Sequence, residues 1–223
     1  MTIEEMRQHE WEVSWSGGKD STATVILMHE NNIPIKKITY VRMMWDEDIP
    51  ATLPIMTSFV DMAAKVFESW GYLVEIIPSI RTAKSLCDDK YKKSKREEKN
   101  GNYYGVTSFA RGMCRFTGYK VKTIKTLQKG EYEMIGYSAD ELHRLHRLTD
   151  TKCSIMFELG ITEEQTFDIC KKYNLLSPLY DLGFKRDGCW FCPNAAAKER
   201  QYLRKNHPEL VNLINQSINA PTI

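Results

Sequence analysis

Six consecutive residues, Ser16-Gly17-Gly18-Lys19-Asp20-Ser21, gather the groups that hold a phosphate. Two glycines lack Cβ, so their backbone can approach an anion closely and can take positive φ. Ser16 and Ser21 add hydroxyl donors, and Lys19 adds a compact positive charge. Asp20 can cap a helix or help place Mg2+. The string follows an extended apolar stretch (Trp11, Val13, Trp15) and opens an apolar helical run (Ala23, Val25, Ile26, Leu27, Met28). A strand, a turn and a helix in that order aim backbone N–H groups at one point, which is where phosphate is best held. The Gly-x4-Gly-Lys-Ser/Thr spacing of the P-loop is absent. A plain turn with a Ser/Asp cap is the bland alternative, and the full string after a strand outweighs it.

A second constellation is Gly188-Cys189-Trp190-Phe191-Cys192-Pro193. Thiolates spaced Cys-x-x-Cys can share one metal or cluster, and a following Pro is common at iron–sulfur sites. Zinc would need two further ligands, and a redox dithiol is a third option. Among the other cysteines, Cys170 shares a helix with Phe167 and Tyr173 and reads as packing. Cys87 lies in a polar stretch without a companion, and Cys153 is ambiguous. Cys114 ranks first as an extra ligand; Arg111-Gly112-Met113-Cys114-Arg115 leads into a basic helix carrying Lys120, Lys122 and Lys125.

Two polar segments follow strands. Trp45-Asp46-Glu47-Asp48 offers a carboxylate, Asp46, to a ribose hydroxyl or a metal, or is an acidic surface turn. Further on, Asp140, Arg144 and Arg147 fall on one face of an expected helix (i, i+4, i+7), to pair internally or to meet a phosphate or sulfate. His143 and His146 on that helix read as polar surface before they read as a metal pair.

Ser16 to Ser21 resembles the PP-loop of the adenine nucleotide α-hydrolase-like superfamily. The chain from Val13 to about Asn194 looks like the phosphoadenosine phosphosulfate (PAPS) reductase family, in its short form from bacteria and their phages. Cys114 followed by the basic helix is similar to the Cys-x(n)-Lys element of that family. Leu175 to Pro193 follows it too, through Ser177-Pro178-Leu179-Tyr180, Gly183-Phe184 and Gly188-Cys189. The resemblance implies an adenine nucleotide, ATP or a relative, bound with Mg2+ by Ser16, Gly17, Gly18, Lys19, Asp20 and Ser21. Asp46 runs near that nucleotide, and Arg147 helps to bind it. Glu141 and Arg144 match best the family's Gly-x-Arg-x-x-Glu-x-x-Arg element, which faces substrate. Lys19, Asp20, Glu141 and Arg144 are thereby the expected catalytic set. Cys114, Cys189 and Cys192 would hold a [4Fe–4S] cluster with one iron open, with Zn2+ as the alternative.

These residues must be positioned by strands alternating with helices. Strands are expected at Ile35–Met44, Tyr72–Ile77 and Tyr132–Tyr137, and helices at Thr52–Trp70, Phe116–Gln128 and Ala139–Leu148. Thr162 starts another helix with Gln165 completing a capping box. Ala195–Asn206 and Glu209–Ile218 close the chain as helices. That order predicts an α/β fold, a doubly wound, mainly parallel sheet flanked by helices and Rossmann-like, with a C-terminal cysteine-containing helical segment. Residues 1–160 form the expected nucleotide-binding core and 161–223 the helical segment packed on it, as a single domain overall. Residues 81–112 lose periodicity and read as a long surface excursion, a candidate lid. No internal repeat or low-complexity tract stands out.

Composition narrows the classes. The chain has 223 residues, enough for one substantial core, and a net charge of +2. No run of about 18 apolar residues occurs, so no membrane span or membrane partner is expected. Met1–Glu10 is polar and unlike a signal peptide, and six dispersed cysteines suit a reducing cytoplasm. Charge is uneven: residues 81–129 hold 14 Lys/Arg against 4 Asp/Glu. Such an excess suits a nucleic acid or nucleotide substrate, or else a solvated basic face. A homodimer is kept as an assembly to test.

Three functions are weighed. The first is an ATP-using enzyme that adenylates an acceptor with release of pyrophosphate and passes sulfur through the cysteine site. The second is a sulfonucleotide (PAPS or adenylylsulfate) reductase using an external thiol, since no Cys follows Cys192 to act as nucleophile. The third is a non-enzymatic nucleotide sensor.

Overall fold

A computed structural model describes residues 1–90, 92, 100–106, 109 and 114–217. A one-turn helix, α1 (Ile3–Met6), is closed by reciprocal hydrogen bonds between Thr2 and Glu5, and it buries Met6. Then come β1 (Trp11–Trp15), α2 (Lys19–Glu30), β2 (Ile35–Arg42), the short strands β3 (Met44–Asp46) and β4 (Ile49–Pro50), α3 (Pro54–Ser69) and β5 (Val74–Pro78). After α4 (Ala83–Cys87) and α5 (Arg115–Leu127) the chain forms β6 (Tyr132–Met134), a 3-10 turn (Leu142–Arg147), β7 (Lys152–Cys153), α6 (Ile155–Glu158) and α7 (Gln165–Lys172). It ends in α8 (Ala197–Asn206) and α9 (Pro208–Gln216).

Five strands make one sheet in the order β5-β2-β1-β6-β7, with β1 parallel to β2 and β6, and β6 parallel to β7. The fold is therefore the expected α/β class, a mainly parallel sheet flanked by helices. Strand order reverses at β1, with β2 and β5 on one side and β6 and β7 on the other. In open α/β sheets, ligands bind in the crevice beyond the carboxyl end of such a switch strand.

The residues of β1 alternate between two unlike faces. Trp11, Val13 and Trp15 are at most 1% exposed. The Trp15 ring meets Phe67 edge-on at 5.1 Å, and its Nε1 donates to Thr22 Oγ1 at 2.9 Å, tying strand to helix. The opposite face carries a charged row. Glu12 lies in register with Lys37 on one side and Glu133 on the other, and Glu133 with Lys152. Lys37 pairs with Glu75 at 3.2 Å and Lys152 with Glu133 at 2.7 Å. Ser14 on the same face donates to Gln128 at 2.9 Å.

Contacts divide the chain into two compact units. The first comprises Met1–Val41, Ile55–Ile77 and Ile124–Asp187; the second comprises Arg42–Pro54, Pro78–Thr123 and Gly188–Ile223. The first holds nearly all of the sheet. In the second, β3 and β4 form an antiparallel pair, and Trp190 donates its backbone N–H to Ala51 and its indole N–H to Pro50.

Several expectations need correction. Ala139–Leu148 is not an α-helix: a turn leads into 3-10 winding over Leu142–Arg147. The acidic turn after β2 belongs to the β3–β4 hairpin. The excursion over residues 81–112 contains α4 and an isolated bridge between Lys90 and Tyr103. Cys87, expected in polar surroundings, is fully buried there. The first β-formers of the stretch after β6, Ile135 to Tyr137, lie beyond the strand.

Candidate functional site

In the first unit, β1 ends at Trp15 and α2 begins at Lys19, so Ser16–Gly18 is the whole connection. Gly17 has φ +83°, and a Cβ there would lie 2.5 Å from Met56 Cε and 3.3 Å from Val60. The dihedral calls for glycine, and a Cβ would in addition have to push aside the flexible end of Met56. Gly18 is the N-cap of α2 and provides no side-chain cap, leaving the first-turn amides beyond Lys19 for another acceptor. Ser21 locks the turn: its Oγ donates to Gly18 O (3.1 Å), accepts from Ser16 N (3.0 Å) and lies 2.9 Å from Ser16 Oγ. Gly136, just past β6, packs on this helix start, where a Cβ would come within 2.9 Å of Ser21 N.

Lys19 is 5% exposed and sits between two carboxylates, 2.6 Å from Asp20 Oδ1 and 2.9 Å from Glu163 Oε1, with its ammonium 5.3 Å from the Phe167 ring centre. Burial opposes its charge. The hydrogen bonds and charges of Asp20 and Glu163 outweigh that and hold its pKa above the ordinary lysine value. Thr166 donates to Asp20 at 3.1 Å. Glu163 is anchored in turn, its backbone N–H donating to Asp140 Oδ1 at 3.1 Å. The nearby Ser138 side chain, chiefly, together with the Glu163 N–H keeps the Asp140 carboxyl below its usual range.

The floor of the loop comes from further along the chain. Lys19 N donates to Tyr180 Oη at 3.4 Å, and burial pushes the Tyr180 phenol up. The Cys170 thiol donates to Lys19 O at 3.3 Å, and burial pushes it up to about 12, as suits a packing residue. Ser177 fixes Asp187 at 2.8 Å, and the other Asp187 oxygen lies 3.3 Å from where a Gly18 Cβ would stand. The arrangement is a tight backbone cradle at a helix N-terminus, with one cation held beside it by acids. Such a cradle can bind a polyphosphate, whose oxygens compete with those acids for Lys19.

The other expected residues divide as follows. Arg144 is paired with Glu141 at 3.1 Å and lies over the Tyr137 ring at 5.0 Å, the internal option of the two weighed. Asp140 faces Glu163, so it does not share a face with Arg144 and Arg147; with three residues per turn, those two arginines align with each other instead. In the second unit, Asp46 pairs with Lys84 at 2.7 Å, which chiefly lowers its pKa, and caps Glu47 N at 3.0 Å. It lines a cavity of about 410 Å3 with Ser79, Arg81, Ser85 and Asp88.

The cysteine segment lies wholly in the second unit. Cys189 and Cys192 bracket one turn, closed by Cys192 N donating to Cys189 O at 3.0 Å. Between them Trp190 and Phe191 are buried, stacking on Trp45 at 5.0 and 4.8 Å. Phe116, two residues past Cys114, meets Phe191 at 5.7 Å, which draws the Cys114 segment to that turn. Cys114, Cys189 and Cys192 are half-buried and none is in a disulfide. Their donor type suits a thiolate-loving metal or cluster. Among the described residues no group of three or more His, Cys, Asp or Glu is assembled as a metal site. Arg111-Gly112-Met113, next to Cys114, lie outside the described residues.

Part of the basic excess is internally engaged. Asp89 holds both Arg81 (3.0 Å) and Arg115 (3.2 Å), and Arg115 lies 3.8 Å over the Tyr104 ring. Lys93, Lys95, Arg96, Lys99 and Arg111 fall outside the described residues. Among the described residues no helix is long and apolar enough to cross a membrane.

No local sequence signal marks Glu163, Thr166 or Asp187 as part of this site. Thr162-Glu163-Glu164-Gln165 reads only as a helix start, and nothing local ties it to a loop more than 140 residues away. Tyr180 did stand in a segment marked by resemblance.

No protein-family model matches the chain, and no curated protein matches it. Among solved structures it is similar to the U34-tRNA thiolase NcsA from Methanococcus maripaludis with its [4Fe-4S] cluster. The identity is 16% and the TM-score 0.46, over 92% of this chain and 71% of that one. A likeness at that level says nothing about the chemistry of the present residues.

Proposed function

We propose that the chain binds ATP through Ser16–Ser21 and acts at its α-phosphate. An acceptor oxygen attacks that phosphorus, the bond to the bridging oxygen breaks, and its electron pair leaves with pyrophosphate. The acceptor's proton goes to solvent. The one observation behind this reading is the cradle itself: a positive-φ glycine and an uncapped helix start at the switch strand of a parallel sheet. Lys19 meets the charge that develops on the leaving pyrophosphate, exchanging Glu163 for phosphate oxygen. Asp20 is the carboxylate that would hold Mg2+, which would neutralise the same oxygens.

Cys114, Cys189 and Cys192 are proposed as thiolate ligands of a [4Fe–4S] cluster, with Zn2+ the alternative. Bound by three thiolates, a cluster would offer one open iron to sulfide, the chemistry needed to pass sulfur to an adenylated carbon.

Calorimetry with ATP and a non-hydrolysable analogue, followed by a pyrophosphate-release assay with candidate acceptors, tests the first part. Absence of any adenine nucleotide binding would falsify it. Iron and zinc counts on anaerobically purified protein test the second, and a chain free of both metals would remove it.

A further inference from the structure

Leu142-His143-Arg144-Leu145-His146-Arg147 is one tripeptide written twice. In an α-helix the repeat would smear around the axis. Here the segment winds as a 3-10 helix, three residues per turn, so residues i and i+3 eclipse. The repeat therefore becomes three parallel stripes: two leucines, two histidines and two arginines. None of these six residues is buried, and Leu142 and Leu145 are 66% and 44% exposed. Like side chains recur about 6 Å apart along the axis, on the scale of successive phosphates in an extended strand. Arg144 is pre-set by Glu141 and the Tyr137 ring, so one guanidinium plane is held rigid.

The geometry points to a docking surface for a single-stranded polynucleotide. Such strands are bound by cations that track the phosphates, together with flat or apolar side chains that accept bases. Arg147 supplies the first, with Arg144 joining it by exchanging Glu141 for phosphate, and the histidine and leucine stripes supply the second. Within the repeat there is no acidic residue to repel a phosphate chain. The surface is also wired to the phosphate cradle. Asp140, two residues ahead of it, holds Glu163, which holds Lys19. Binding rests on the repeat alone; only the strand's role as acceptor rests on the ATP reading.

The test is fluorescence anisotropy at low salt with labelled mixed-sequence RNA and DNA single strands of about 12 nucleotides, within the usual site-size range, beside the corresponding duplex. Single strands are expected to bind, with the duplex at least about tenfold weaker, and the RNA-to-DNA ratio identifies the natural strand. Arg147→Gln should weaken binding about tenfold and flatten the slope of log K against log salt by about 0.7, one phosphate contact on a single strand. Arg147→Lys should keep the slope. Leu142→Ser with Leu145→Ser should weaken binding without changing it. Circular dichroism confirms that these exposed-site variants fold. No single-strand binding, equal duplex binding, unchanged variants, or equally tight binding of poly-glutamate would each overturn the proposal. ATP calorimetry on the same samples separates the two readings. If ATP binds and oligonucleotides do not, only this surface is lost; if oligonucleotides bind and ATP does not, only the cradle is.

Discussion

The Ser16–Ser21 cradle and the cysteine turn are both short connections bearing reactive groups, yet different forces shape them. The cradle is built from backbone: positive φ at Gly17, the Ser16–Ser21 interlock, and the close approach of Gly136. The cysteine turn is held by rings, with Trp190 and Phe191 buried between half-exposed thiols. There the scaffold is finished and the ligand set is not closed among the described residues. Anion binding needs amides fixed in advance, whereas metal binding can organise its own thiolates and release their protons as it does so.

The sharpest way to break this contrast is at Phe191. It touches Trp45, Phe109, Phe116 and Trp190. Phe191→Ala should destabilise by about 3–5 kcal/mol, read by denaturant unfolding; a drop below about 1 kcal/mol would show that rings do not carry the turn. Next is Gly17→Val. Positive φ and the Met56 contact make it costly, by about 1–3 kcal/mol for the dihedral alone, and calorimetry should find ATP affinity down at least about a hundredfold. Adding Met56→Ala should relieve the clash and still fail to restore binding, because the dihedral remains.

Glu163→Gln is subtler. It leaves Lys19 with one acid instead of two, so pyrophosphate should bind several-fold more tightly; weaker binding would mean Glu163 positions Lys19 instead of competing for it. The same lysine sets a pH expectation. Its folded pKa is raised, so the stability it contributes is fully present below the unfolded value of 10.5 and is lost as pH rises through the folded one. The stability gap between wild type and Lys19→Met should stay constant from about pH 6 to about pH 9. The smallest effect on stability is expected from Cys189→Ser and Cys192→Ser. These should abolish bound iron or zinc and leave ATP affinity intact, and in metal-free protein they should shift unfolding by less than about 1 kcal/mol.

Local signals made much of this legible. The string from Trp11 to Met28 carries strand, turn and helix in order, and β1, the cradle and α2 fall where that pattern puts them. Cys170 reads as packing from its neighbours, and it is buried. What failed was non-local. The partners of Lys19 come from Glu163 and Tyr180, across loops whose path no periodicity encodes. The residues from Ala139 to Leu148 suit an α-helix by propensity, but Asp140 is diverted to Glu163 and the remainder winds tighter. That winding is also why the Leu-His-Arg duplication passes unnoticed when the sequence is read at 3.6 residues per turn. The β3–β4 hairpin is too short to show alternation, and its Trp45 reads as loop until Trp190 and Phe191 arrive from far along the chain.

The charged row across the sheet bears on how the strands find their alignment. Slide β1 by one residue and Glu12 lands in the layer now filled by Trp15 and Phe67, while Trp11 or Val13 takes its place between Lys37 and Glu133. Such a slip would bury a carboxylate in an aromatic layer and set apolar side chains beside Lys37 and Glu133, whose own ion pairs with Glu75 and Lys152 lie on the other strands. The ionic lattice thus works as a proofreading ruler. It penalises a slip by one residue and so favours the alignment from which the end of β1 runs into Gly17.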